Sequence, residues 1–364
     1  MDLPQSQTVA AALRASADLY AGMGVRLYSL LCARMAEDPE LVALAAHGQE
    51  SARAMHLLSS VHYLLLGDPA DPLSRFFATL TETPAPPEEA FPELQRFCRR
   101  RHEAIVELMR TRTVQTTFVD RCRAVVAPFS LVAREAGEPL NVIELGCSAG
   151  VLLTFDKYAY ELDGAGRVGP ADAPLTLVGE VRDGPALRIP RIGARIGVDL
   201  HPIDVTSPEE RRWLLALCFP ELREQQQRLA VALEEVARAG VQVFGGDALD
   251  HVPRLLAQTP GPLCVLHSAC LFYWTDEAKA ALDRQILEAS KGREIWRIGI
   301  EPADSWNAWN RGQAATAQDP NEPKKPVGGV TISRYRDGEV ESRFVAHNSS
   351  DYGTLQWLGP ADRF

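Results

Sequence analysis

The sequence lacks any uninterrupted apolar run near the ~18 residues that a membrane-spanning helix requires. Met1-Asp2-Leu3-Pro4-Gln5 offers neither the basic region nor the apolar segment of a secretory signal. Positive charge is scarce as well: 38 lysines and arginines stand against 48 acidic residues, a formal net charge of −10. A field of that sign does not draw a chain onto phosphate backbones or anionic leaflets, so neither nucleic acid nor membrane is expected as a partner, and a cytoplasmic location is. The seven cysteines (Cys32, Cys98, Cys122, Cys147, Cys218, Cys264, Cys270) are odd in number, scattered and never spaced C-x-x-C. That pattern reads as reduced thiols filling the core, with no metal site. The motifs H-E-x-x-H, G-x-S-x-G and the P-loop are all missing, so hydrolase and kinase readings have no anchor.

What is present is an ordinary globular composition, 46% hydrophobic and 24% charged over 364 residues, with too little proline and glycine for low complexity. Such a length accommodates two or three domains of ~150 residues. Residues 1–112 read as an all-α N-terminal domain, because Val9 to Glu37, Pro39 to Leu66, Leu73 to Leu80 and Glu93 to Arg112 carry apolar residues at three- and four-residue spacing. Thr83 to Pro92, with four prolines, is expected to be a connector within it. From about residue 113 the texture changes to short apolar runs separated by helical patterns. This predicts an α/β domain over 113–364 built on a doubly wound parallel sheet.

Candidate parallel strands are Asn141 to Leu145, Arg195 to Asp199, Val241 to Phe244, Leu263 to His267 and Ile295 to Glu301. The pattern from Val151 to Leu162 predicts an amphipathic helix, and 163–194 an insertion that carries the strand-like run Leu175 to Val181 and forms a small hairpin or flap. Ser207, Pro208 and Glu210 open a further helix that runs to Gly240 and should break at Pro220. Near the end, Trp306, Trp309 and Thr316 to Pro326 suggest a loop. Antiparallel C-terminal strands follow: Val330 to Arg336 and Glu339 to His347 flank Asp337-Gly338, and Thr354 to Leu358 adds one more.

The chemistry concentrates where the first strand ends. Asn141-Val-Ile-Glu144-Leu-Gly146-Cys-Ser148-Ala-Gly150 is an apolar strand running into a glycine turn, at the edge where such sheets bind ligands. A dinucleotide fingerprint wants G-x-G-x-x-G; here the spacing is G-x-x-x-G and an acidic residue precedes Gly146 by two. A carboxylate there suits an amine-bearing ligand better than pyrophosphate.

The segment resembles the first motif of class I S-adenosylmethionine-dependent methyltransferases, with Ser148 where a glycine is usual. That resemblance implies a Rossmann-like, methyltransferase-type fold and S-adenosylmethionine as cofactor, held by Glu144, Gly146, Ser148 and Gly150. It implies a ribose contact from Asp199, which lies later than the ~20-residue spacing of a compact unit because of the insertion. It also implies an adenine contact at Asp247-Ala248. More narrowly, Gly146 to Gly150, Phe155 to Tyr160, Gly197 to Asp204, Gly246-Asp247-Ala248 and His267-Ser268 resemble the bacterial domain of unknown function 2332 family over nearly the whole chain. That family brings no reaction with it.

Strand four ends in Val265-Leu266-His267-Ser268, with Tyr273 beyond, and strand five in Gly299-Ile300-Glu301. His267, Tyr273 and Glu301 are therefore the candidate catalytic residues, His267 as general base toward a small-molecule acceptor. A histidine satisfying a strand-end hydrogen bond is the plain alternative. A non-catalytic cofactor-binding protein is the rival functional class. His201 reads as a supporting residue, and Asp204 and Glu180 as solvated loop residues. Finally, eight arginines between Arg96 and Arg123 outnumber the local acids, as either a docking face or a solvated, ion-paired one.

Overall fold

The computed structural model describes residues 3–302, 328–359 and 363–364; the loop expected around Trp306, Trp309 and Thr316 to Pro326 lies outside the described residues. The chain divides into two compact units. One comprises Met1–Thr117 with Thr206–Ala230, the other Phe118–Val205 with Val231–Phe364.

The first stretch is helical as its periodicity predicts, except that Leu73 to Leu80 forms only a 3-10 segment at Pro72–Phe76: α1 (Leu3–Gly22), α2 (Arg26–Met35), α3 (Pro39–Ala45), α4 (Arg53–Gly67), α5 (Ala90–Arg100) and α6 (His102–Thr111). The apolar pattern of Val9 to Glu37 is broken between α1 and α2 by Gly24, whose φ of 76° ends the helix as only glycine does cheaply. Asp38 starts α3 by accepting from the N–H groups of Glu40 and Leu41 at 2.9 and 3.2 Å, with Pro39 in the first turn.

The second unit begins with α7 (Cys122–Ala136), a helix the sequence reading did not isolate. Eleven of its residues are buried, so it has no polar stripe to betray a helical period. Then come β1 (Leu140–Leu145), a 3-10 segment at Val151–Lys157, β2 (Ala159–Asp163), β3 (Gly166–Val168), β4 (Thr176–Arg182) and β5 (Ile192–Asp199). Two expectations fail here. Val151 to Leu162 is not an amphipathic helix: Val151 to Phe155 are buried all round, and the aromatic stretch after them enters β2. Arg195 holds the 3-10 form, donating to both oxygens of buried Asp156 at 2.6 and 2.7 Å and to the Leu153 carbonyl. Nor is 163–194 a separate flap. The β2–β3 hairpin forms, but β4 pairs in parallel with β2 and extends the main sheet.

Ser207 caps α8 (Pro208–Ala216), and α9 (Arg223–Arg238) follows after the expected break around Pro220. Segment 206–230, which the sequence pattern assigns to the sheet domain, belongs to the helical unit. Within that unit Trp213 packs edge-on against His56 at 5.9 Å, and Phe219 against Tyr20 and Tyr28 at 5.3 and 5.9 Å.

The remaining elements are β6 (Gln242–Gly245), α10 (Ala248–Gln258), β7 (Leu263–Ser268), α11 (Asp276–Ala289), β8 (Glu294–Pro302), β9 (Gly328–Arg336), β10 (Glu339–Asn348) and β11 (Thr354–Trp357). The eleven strands of the described residues form one mixed sheet, ordered β3-β2-β4-β11-β10-β9-β8-β7-β1-β5-β6. One end of it, β6-β5-β1-β7-β8, is parallel throughout, and β9 and β10 add antiparallel to it. Ile143 and Leu145 of β1, with Leu263 and Val265 of β7, bury one sheet face against Val252, Leu255 and Leu256 of α10 and Leu282 and Ile286 of α11. Chain order reverses at β1, which lies between β5 and β7, and ligands of such sheets bind outside the carboxyl ends of the strands at that point.

Candidate functional site

At the end of β1 the backbone turns through three left-handed residues, Gly146 (φ 70°), Ser148 (φ 51°) and Gly150 (φ 78°). The turn is held from β5: Asp199 Oδ2 accepts the Ser148 N–H at 2.7 Å and Oδ1 accepts the His201 N–H at 2.9 Å. Asp199 thus organises the turn, and each of its oxygens keeps a lone pair beyond those bonds. The glycines answer to packing. A Cβ at Gly146 would run into Cys270 Sγ, and one at Gly150 would come within 3.0 Å of Val241. The space above Gly146 is therefore filled by Cys270, and the close approach expected there is to a cysteine side chain.

Glu144 is 3% exposed, and its Oε2 is buried without a hydrogen-bond partner among the described residues. Burial drives its carboxyl pKa well up, with Arg121 pulling it down and Asp199 adding to the rise. An orphaned buried carboxyl oxygen costs about 1 to 3 kcal/mol, more if charged, which the fold bears unless a ligand donates to it. Asp247 lies at the end of β6, but its side chain caps α10, accepting the Leu249 N–H at 2.8 Å; Ala248 beside it is buried.

His267 and Glu301 are brought together by the parallel β7–β8 pair. His267 Nδ1 lies 2.7 Å from Glu301 Oε1, which also accepts from the N–H groups of Leu271 at 3.1 Å and Cys270 at 3.2 Å. An oxygen already accepting from backbone makes Nδ1 the protonated nitrogen and leaves the lone pair on Nε2. The ring lies over Gly299, where an added Cβ would approach Cε1 to 2.5 Å. Burial lowers the His267 pKa, with Glu301 opposing, so the ring is biased toward neutrality. Because β1 and β7 run in register, Glu144 with Leu266 and Leu145 with His267, Glu144 and Ser268 share one sheet face and His267 lies on the other. Tyr273 is 77% exposed and stacks on Phe272 with ring centroids 3.8 Å apart. Glu180 is not a loop residue but lies on β4, paired with Arg182 at 2.7 Å.

The arginine-rich stretch resolves into ion pairs. Arg96 meets Glu93, Arg99 meets Glu40, Arg100 meets Asp71, Arg101 meets Asp68, Arg110 meets Glu107, Arg112 meets Glu210 and Arg123 meets Asp120. Arg121 is the exception. Its guanidinium lies 5.6 and 5.7 Å from the ring centroids of Phe118 and Tyr352, and Nη1 reaches the Ser268 carbonyl at 3.5 Å. The sequence reading missed Arg121 and Ser268 as site residues: one was hidden in a run of arginines, the other next to the more conspicuous His267.

Over residues 10–357 the chain matches the model of a family described as uncharacterized protein conserved in bacteria, domain of unknown function 2332. No curated protein matches it. The chain belongs to that bacterial family.

Proposed function

We propose, from the chemistry of the β1 edge, that the protein binds S-adenosylmethionine at the carboxyl edge of the sheet and passes the methyl group to a small-molecule acceptor. The observation that carries this reading is Glu144: a buried carboxyl with an orphaned oxygen, two residues before a left-handed glycine turn, at the strand where chain order reverses. Such a group suits the ammonium end of the cofactor better than a pyrophosphate. The parallel order β6-β5-β1-β7-β8 followed by antiparallel strands supports a Rossmann-like, methyltransferase-type sheet. Asp199, with a spare lone pair on each oxygen, is suited to ribose hydroxyls. Asp247 and Ala248, at the end of β6, are suited to the adenine edge.

When bound, the cofactor supplies an electrophilic methyl group on a positively charged sulfur. The chain's own part is to hold, orient and deprotonate. Glu144 binds the ammonium, and Asp199 fixes the turn through Ser148. His267, whose Nδ1 is held by Glu301, lies on the sheet face opposite Glu144, so its Nε2 lone pair takes a proton only from an acceptor that reaches round the end of β7; the Tyr273 hydroxyl faces solvent. One observation favours the rival reading of cofactor binding without turnover. The His267 side chain is only 6% exposed, and Glu301 ties it to the turn at Cys270 and Leu271, as a purely structural pair would be.

Calorimetric titration with S-adenosylmethionine and S-adenosylhomocysteine tests the proposal, followed by a screen of neutral and acidic metabolites for S-adenosylhomocysteine release. Saturable binding of both with turnover of one metabolite is expected. Binding without turnover on any pool leaves the binding protein, and preferential binding of a nicotinamide dinucleotide overturns both.

A further inference from the structure

We propose that Arg121 receives a carboxylate of the methyl acceptor, so that the acceptor is a small organic acid; this rests on the methyl-transfer reading above. The argument starts from an imbalance. In a chain with ten more acidic than basic residues, seven of the eight arginines between Arg96 and Arg123 have a carboxylate partner. Arg121 has none within ion-pair distance among the described residues, and its Nε is buried without a hydrogen-bond partner. A guanidinium does not shed its proton, so burying its donors unpaired is costly until an anion arrives. The rings of Phe118 and Tyr352 lie near it and attract its charge without using its N–H groups.

A second, independent observation lies beside it. Ser268 is 4% exposed and its hydroxyl has no partner among the described residues, while its own carbonyl is the one that Arg121 Nη1 approaches. A guanidinium and a hydroxyl at one strand end match a carboxylate, which accepts from both. Glu144 and Tyr273 are the further groups that feel the Arg121 charge, which sets the guanidinium near the end of β1 and the exposed aromatic pair.

Strand order separates this anion from the cofactor. Asp199 and Asp247 end β5 and β6 on one side of β1, whereas Ser268 ends β7 on the other, and Tyr352 belongs to the loop after β10. A cofactor extended from Glu144 over β5 and β6 leaves the β7 side, where Arg121 sits, to the acceptor.

The test uses the full chain with Arg121→Gln and, to keep the charge while losing the planar fork, Arg121→Lys. Succinate, malate and benzoate, with succinamide as the uncharged control, are titrated in saturating S-adenosylhomocysteine and followed by thermal shift and calorimetry. At least one acid should stabilise the parent, succinamide should not, and Arg121→Gln should weaken that acid by roughly tenfold or more. Arg121→Lys should fall between them, and S-adenosylhomocysteine affinity should change by no more than about threefold in either variant. A tenfold loss of S-adenosylhomocysteine affinity in Arg121→Gln would instead put the cofactor's own carboxylate on Arg121 and overturn the proposal. So would acids that bind parent and variant alike, or none that binds. If the parent ignores S-adenosylhomocysteine yet binds an acid through Arg121, the methyl-transfer reading falls and the anion site stands.

Discussion

Glu144 is a buried carboxyl group with an oxygen that has no hydrogen-bond partner among the described residues. Its pKa is raised by burial, opposed by Arg121 and reinforced by Asp199, so the folded chain holds a proton that the unfolded chain releases near the ordinary carboxyl pKa. In the window between those two values the folded state binds more protons, and stability therefore falls as pH rises through it. Glu144→Gln keeps the shape and removes the titration. Its melting temperature should gain on the parent's as pH goes from about 5 to about 8, while S-adenosylmethionine affinity drops by about 1.5 to 3 kcal/mol for the lost charged hydrogen bond. Parallel melting curves at all pH values would show that Glu144 titrates normally. His267 admits an equally sharp test. As a base, its replacement by alanine should cut turnover by about 10²- to 10⁴-fold with cofactor affinity kept. As a pin for the turn at Cys270 and Leu271, it should cost stability of about 1 kcal/mol and leave turnover per folded molecule unchanged. Acidic residues at strand ends are legible in a sequence; what already satisfies them is not. Asp199 and Asp247 read alike, yet one holds the glycine turn and the other caps a helix.

Strands were legible as short apolar runs, even where both faces are buried as in β7. β6, β5, β1, β7 and β8 and the terminal hairpin follow from such runs and Asp337-Gly338, and Pro220 separates α8 from α9. Helical elements buried on every side were not: α7 escaped notice, and the 3-10 segment after Gly150 passed for an amphipathic helix, because an unbroken apolar run carries no helical period. The Arg195–Asp156 pair that ties this segment to β5 joins residues far apart in the sequence. The glycine turn makes a prediction at this scale. Gly146→Ala must accept φ of 70° and also displace the Cys270 side chain, whereas Gly240→Ala accepts φ of 67° with nothing within 4 Å. The second should cost about 1 kcal/mol and the first roughly 1 to 3 kcal/mol more, measured as denaturant midpoints without ligand. Equal losses would mean that Cys270 moves freely, returning the Gly146 requirement to the ligand.

At the scale of the whole chain, the unit boundary is not a cut in the sequence. Periodicity divides the chain once, near residue 113, because it registers local texture and not which helix packs on which. The helical unit is completed by 206–230, where Trp213 is 1% exposed, Leu214 1%, Leu217 2% and Phe219 8%. Arg112 pairs with Glu210, the Trp213 indole donates to the Thr113 carbonyl at 2.8 Å, and the Thr79 N–H donates to the Pro220 carbonyl at 3.0 Å, all within that unit. A fragment of residues 118–364 keeps every strand of the sheet but strips those four apolar side chains of their partners. At roughly 1.5 to 3 kcal/mol each, their exposure approaches the 5 to 15 kcal/mol by which a whole domain is usually stable. The fragment should therefore bind a hydrophobic dye and show red-shifted tryptophan emission with a broadened unfolding transition. Supplying residues 1–117 as a separate chain should restore the parent's emission. Cooperative unfolding of the fragment alone, with the parent's blue emission, would show that 206–230 finds other cover and that the sheet unit folds without the helical one.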